Sequence, residues 1–121
     1  RSLAQAMNQT CAAVTPEVSE FELAGLTPMA SRLVAAPRIA ESPVSFECRM
    51  TQTVQLQDVD GQKLQTWLVL GEVVAVHISQ HLLINGLYDT ASAEHFSRGG
   101  GPANYFSIGP EQLFKMHRPR I

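Results

Sequence analysis

The sequence predicts a mainly β domain with short helices, and three observations carry that prediction. From Val44 to Leu56, apolar Val44, Phe46, Cys48 and Met50 alternate with polar Ser45, Glu47, Arg49 and Thr51. That is the period of a strand with one wet face. From Thr66 to Ile78 nearly every residue is apolar and many are β-branched, as in a strand buried on both faces. Between the two runs, Asp58-Val59-Asp60-Gly61 supplies a turn. Strands joined so closely argue for an antiparallel sheet or barrel.

The remaining elements follow in chain order. Ser2, with Gln5 three residues on, reads as a capping box ahead of a short helix whose apolar face is Leu3, Ala6 and Met7. Thr15-Pro16-Glu17 opens a second short helix through about Leu23, which Gly25 stops. Leu26 to Pro43 carries three prolines and little periodicity, so it reads as an extended connection. In the long apolar strand, Trp67, Val69, Gly71, Val73, Ala75 and His77 share one face. Glu72 falls on the other face, as a carboxylate among apolar neighbours that needs a partner. Asn85-Gly86 is a turn, and a polar segment around Ala91 to Glu94 leads into the triplet Gly99-Gly100-Gly101. A last helix is expected from Pro110, with Glu111 near its start, Lys115 and Arg118 near its end, and Pro119 closing it.

Composition narrows the function classes. The 121 residues make one domain at most, and a net charge of −2 provides no basic face for a nucleic-acid polymer. No apolar run nears the ~20 residues that cross a bilayer. No secretory leader is visible, which points to a cytoplasmic protein. Cys11 and Cys48 form no CxxC pair and read as reduced core residues. Asn8-Gln9-Thr10 matches a glycosylation sequon only by chance under that reading. One difficulty remains: two long strands and several helical pieces do not close a barrel, so further strands must come from elsewhere.

Six stretches in register, "AMNQTCA", "FELAGLTP", "PRIAESPVSFECR", "LGEVVAVHI", "YDTA" and "SRGGGPANYF", resemble the C-terminal part of the flavin reductase-like family of flavoprotein oxidoreductases. The resemblance spans nearly the whole chain. It implies an FMN-binding split β-barrel and makes residues 1–121 the C-terminal portion of a single such domain. The strand-rich opening segment of the family, which holds the flavin phosphate, has no counterpart here. On that reading the sequence is a fragment or truncated form.

The resemblance also assigns candidate residues. Arg98, Gly99, Gly100 and Tyr105 match a family segment that lies beside the flavin, where glycine permits close approach and arginine pairs with phosphate or a nicotinamide-nucleotide anion. Asn8 and Thr10 match a turn after the first helix that either caps locally or touches the cofactor. His77 is the candidate catalytic residue. Hydride moves directly between the two rings, so His77 would orient or polarise and carry no covalent step. No metal is implied. The expected function is an FMN-dependent oxidoreductase fed by NADH or NADPH, acting as a homodimer. The alternative is a non-catalytic flavin-binding or electron-transfer module.

Overall fold

The computed structural model describes residues 2–120, which fall into two compact units. One is Leu26–His77. The other combines the chain up to Gly25 with the chain from Ile78 on.

In the Leu26–His77 unit, β1 (Pro28–Met29) pairs antiparallel with β2 (Arg38–Ile39), Pro28 opposite Ile39. The expected extended connection is therefore a small ribbon. Ala40 donates to the Thr27 carbonyl, and the Glu41 carboxylate accepts from the Thr27 amide at 3.0 and 3.1 Å. The long hairpin is β3 (Val44–Gln57) and β4 (Lys63–Ile78), which form a two-stranded sheet. Its turn is the one expected. Asp58 Oδ1 accepts from the amides of Asp60 and Gln62, and Gly61 sits at φ +82°, where a side chain is strained.

The faces of this hairpin differ from expectation. Phe46 and Met50 are 61% and 71% exposed, and Trp67 and Val69 are 55% and 59% exposed. Glu47, assigned by alternation to the wet face, is 2% exposed. The segment around β1 and β2 covers only part of this hairpin, so much of its apolar surface, at Phe46, Met50, Trp67 and Val69, stays exposed. Glu72 is exposed and needs no buried partner, and Cys11 and Cys48 are exposed rather than core.

In the other unit, α1 is Ala4–Gln9 and α2 is Glu20–Ala24. Leu3, not Ser2, stands at the N-cap of α1, and no side chain caps it, so the capping box does not form. The second helix starts later than expected. Val18 donates to the Thr15 carbonyl in a closed turn, and Ser19 is extended at ψ 117°, so the helix begins afresh at Glu20. Gly25 ends it in the left-handed conformation, as expected.

Further on, β5 (Leu83–Ile84) and β6 (Leu87–Tyr88) form a hairpin across Asn85-Gly86, both at positive φ. A second hairpin joins β7 (Phe96–Arg98) to β8 (Tyr105–Ser107). The expected final helix reduces to a single 3-10 turn at Pro110–Gln112. The Gln112 side chain accepts from the Gly109 amide and closes that turn. Beyond it Leu113, Phe114 and Met116 are 64–82% exposed. A short helix without an apolar surface to dock on does not persist, whatever its terminal charges.

Candidate functional site

The sequence-predicted residues fall into two groups. In the Leu26–His77 unit, His77 stands near the end of β4, and its Nε2 lies 2.6 Å from Glu47 Oε1. Glu47 also accepts from the amides of Arg32 at 2.8 Å and Leu33 at 2.7 Å. Those two amides belong to the segment between β1 and β2, which Arg49 further ties down through the Leu33 carbonyl at 3.2 Å. The Arg32 amide is the main cause holding the Glu47 carboxyl down to about 2, from a usual 4.5. Burial opposes it, while His77 and the Leu33 amide assist. A carboxylate only accepts, so Nε2 of His77 is the protonated nitrogen of this pair.

Glu47 is the residue that sequence reasoning missed. One glutamate in an alternating strand looks like any other solvent-facing position. Its burial depends on a loop that folds back from residues 32 and 33, and no local pattern announces that.

In the other unit, the glycine triplet is the connection of the β7–β8 hairpin. Arg98 is paired with Tyr105, and the Gly99 amide donates to the Asn104 carbonyl at 2.8 Å. The Arg98 guanidinium spans the loop. It donates to Tyr105 OH at 3.1 Å, to the Pro102 carbonyl at 3.0 Å and to the Gly101 carbonyl at 3.3 Å. Its carbon also lies 5.2 Å from the Tyr105 ring centroid.

The three glycines stand in three different situations. A Cβ on Gly99 would stand 2.5 Å from the Phe106 ring, and Gly101 sits at φ +79°. A Cβ on Gly100 would meet nothing within 4 Å. The fold explains two of the three.

Beside this hairpin is a cleft of about 260 Å³, lined by Met7, Asn8, Phe96, Tyr105, Phe106 and Ser107 among others. Phe96 packs edge-on against Tyr105. Asn8 and Tyr105 are thus brought together, with Arg98 bonded to Tyr105. Thr10 is not: its hydroxyl donates to the Met7 carbonyl at 2.8 Å and closes the end of α1. Aromatic walls with the amides of Gln5 and Asn8 and the hydroxyls of Tyr105 and Ser107 suit a flat heteroaromatic ligand. Among the described residues no His, Cys, Asp and Glu cluster is arranged to hold a metal, and no helix is long and apolar enough to cross a membrane.

Comparison with known proteins places this geometry in context. The model of the flavin reductase like domain matches residues 2–97. The chain is 32% identical over 117 residues to a protein of Halalkalibacterium halodurans, covering 97% of this chain and 54% of that protein. It is 30% identical over 115 residues to YwrF of Bacillus subtilis, covering 93% and 54%. The chain spans about half the length of these relatives. Nitrilotriacetate monooxygenase component B from Bacillus cereus superposes with a TM-score of 0.83 at 30% identity, over 96% of this chain and 55% of that one. A split-barrel structure from Shewanella frigidimarina, at 23% identity and TM-score 0.70 over 100% and 56%, shares the fold.

Proposed function

From the premise that this chain belongs to the flavin reductase like domain family, we propose that it serves an FMN-dependent oxidoreductase in which NADH or NADPH passes hydride to bound or exchangeable FMN. The observation that carries this reading is the aromatic cleft beside the glycine hairpin. Its ~260 Å³ falls just short of the 300–1,000 Å³ typical of whole ligand pockets. It suits the ring system rather than the whole nucleotide. Among the described residues no lysine or arginine lines it, so the phosphate would take its anchor elsewhere.

Phe96 and Tyr105 would hold the ring and Asn8 would bond its edge, while Gly99 and Gly100 let the backbone come close. Arg98 would offer its remaining donors to an anionic group. His77, in the other unit and not in the lining of this cleft, would keep the role that the family resemblance gives it, orienting the nicotinamide or the flavin. The flavin, when bound, supplies the hydride acceptor, and these residues supply position and electrostatics. The uncovered apolar residues of β3 and β4 support a homodimer, in which a two-fold contact buries them.

Titrating FMN against the 121-residue chain, followed by fluorescence quenching, tests the division of the site. If the phosphate anchor lies outside these 121 residues, binding should be millimolar or weaker. Micromolar saturation at one site per chain would place the phosphate anchor within these residues. Steady-state oxidation of NADH or NADPH by the whole protein with added FMN tests the activity. Flavin binding without turnover would make it an electron-transfer module instead. A monomer in sedimentation at micromolar concentration would reject the dimer.

A further inference from the structure

Among the described residues Glu47 is the one buried polar or charged side chain, and its closest partner is His77. The pair is asymmetric. The His77 side chain is 22% exposed and that of Glu47 is 1% exposed. A ligand that meets this pair therefore meets the imidazole and never the carboxylate. Oε1 is shared between the Arg32 amide and His77, while Oε2 takes the Leu33 amide. Two backbone donors on adjacent residues hold the carboxylate in place, so its orientation does not depend on the imidazole it supports.

We propose that Glu47 is the positioning residue of the site: sealed from solvent, it holds His77 as the Nε2–H tautomer and makes Nδ1 the nitrogen that His77 offers to a flavin or nicotinamide. The inference rests on the reading of His77 given above. Nδ1 has no hydrogen bond among the described residues. In the neutral imidazole it is an acceptor, so the ligand group it meets is an N–H donor, such as a carboxamide or a ring N–H. A histidine free to exchange tautomers would present a donor or an acceptor by turns. Fixing one form removes that ambiguity and the rotational freedom that goes with it.

The test uses uniformly 15N-labelled protein and long-range 1H–15N spectra of the imidazoles at alkaline pH, with His77 assigned by its loss in His77→Asn. The wild type should show protonated Nε2 and bare Nδ1; an Nδ1–H form or an even mixture overturns the inference. Glu47→Ala should scramble the tautomer and weaken FMN binding or raise KM for NADH by about 10- to 100-fold. Glu47→Gln should retain much of both, since its oxygen can still accept from Nε2–H. If the alanine variant does not fold, Glu47→Asp withdraws the carboxylate by one methylene and serves in its place. A folded variant with a scrambled tautomer but unchanged FMN and NADH parameters, where His77→Asn impairs them, also overturns the inference. Should His77→Asn change neither ligand's parameters, the reading of His77 fails and takes this inference with it, while the tautomer spectrum reports separately whether Glu47 holds the ring.

Discussion

Two polar clusters anchor the candidate residues, and they are built in opposite ways. Glu47 gathers its hydrogen bonds from residues 14, 15 and 30 positions away, and it is almost fully buried. Arg98 takes its own from residues 3, 4 and 7 positions away, and it stays exposed. The first cluster ties distant parts of its unit together; the second finishes a single hairpin. Loss of the first should therefore be felt across the unit, and loss of the second only in the loop.

The largest effect is expected from Glu47→Ala. It strands the Arg32 and Leu33 amides and the His77 Nε2–H without the buried carboxylate that accepts from all three, and breaking such a network is among the few causes of severe destabilisation. The urea midpoint should fall further than for any other substitution considered below. Amide exchange at residues 32 and 33 should accelerate along with exchange in β3 and β4. Acceleration confined to residues 32 and 33 would erase the contrast between the two clusters.

The same carboxylate gives a pH signature. Its folded-state value is held near 2, below the usual 4.5. In the unfolded chain it binds its proton at the higher pH, so its contribution to stability is complete above about 4.5. That contribution drains away as pH falls toward 2. Plotting the urea midpoint from pH 6 to pH 2 for wild type and Glu47→Gln isolates it from other titrating carboxylates. The two curves should converge as pH falls. Parallel curves would mean the carboxylate is not held in its ionised form.

The contrast also governs what could be read from the sequence. Features with a local cause were legible: the Asp58–Gly61 turn, the Asn85-Gly86 turn and the Gly25 stop all follow from residue types that favour their own backbone geometry. The family resemblance brought Asn8, Arg98 and Tyr105 forward, and the structure gathers them around one hairpin and cleft. Glu47 was not legible. Alternation fixes which side of a strand a residue takes but says nothing about what covers that side. The expected helix after Pro110 failed for a related reason. Its terminal residues suited a helix, but among the described residues no apolar surface covers Leu113, Phe114 and Met116.

Arg98→Ala comes next in size. Within the hairpin it removes three donated hydrogen bonds, so exchange should rise at residues 99–104 while β3 and β4 remain as protected as before. If its remaining donors meet an anionic group, the lost charge-assisted bond costs ~1.5–3 kcal/mol, or roughly ten- to over a hundredfold in FMN or nicotinamide affinity. Lysine should restore only part of that, lacking the planar fork. Unchanged affinity and turnover would leave Arg98 as a loop clamp alone.

The glycines give the smallest effects and the finest distinction. Gly101→Ala places a side chain at φ +79° and should cost about 1–2 kcal/mol. Gly99→Ala forces the exposed Phe106 ring aside, at about 1 kcal/mol. Gly100→Ala should change stability by no more than about 0.5 kcal/mol, because its Cβ enters open space and its φ suits any residue. A glycine that the fold does not require is either incidental or kept for what approaches it from outside. If a flat ring comes against this backbone, the added methyl should lower FMN affinity about tenfold, near 1.4 kcal/mol, with the urea midpoint unmoved. That separation of binding from stability is the decisive outcome. An FMN affinity equal to wild type in a Gly100→Ala variant of unchanged stability would show that nothing docks there, and the triplet would then be explained by the loop's own geometry at Gly99 and Gly101.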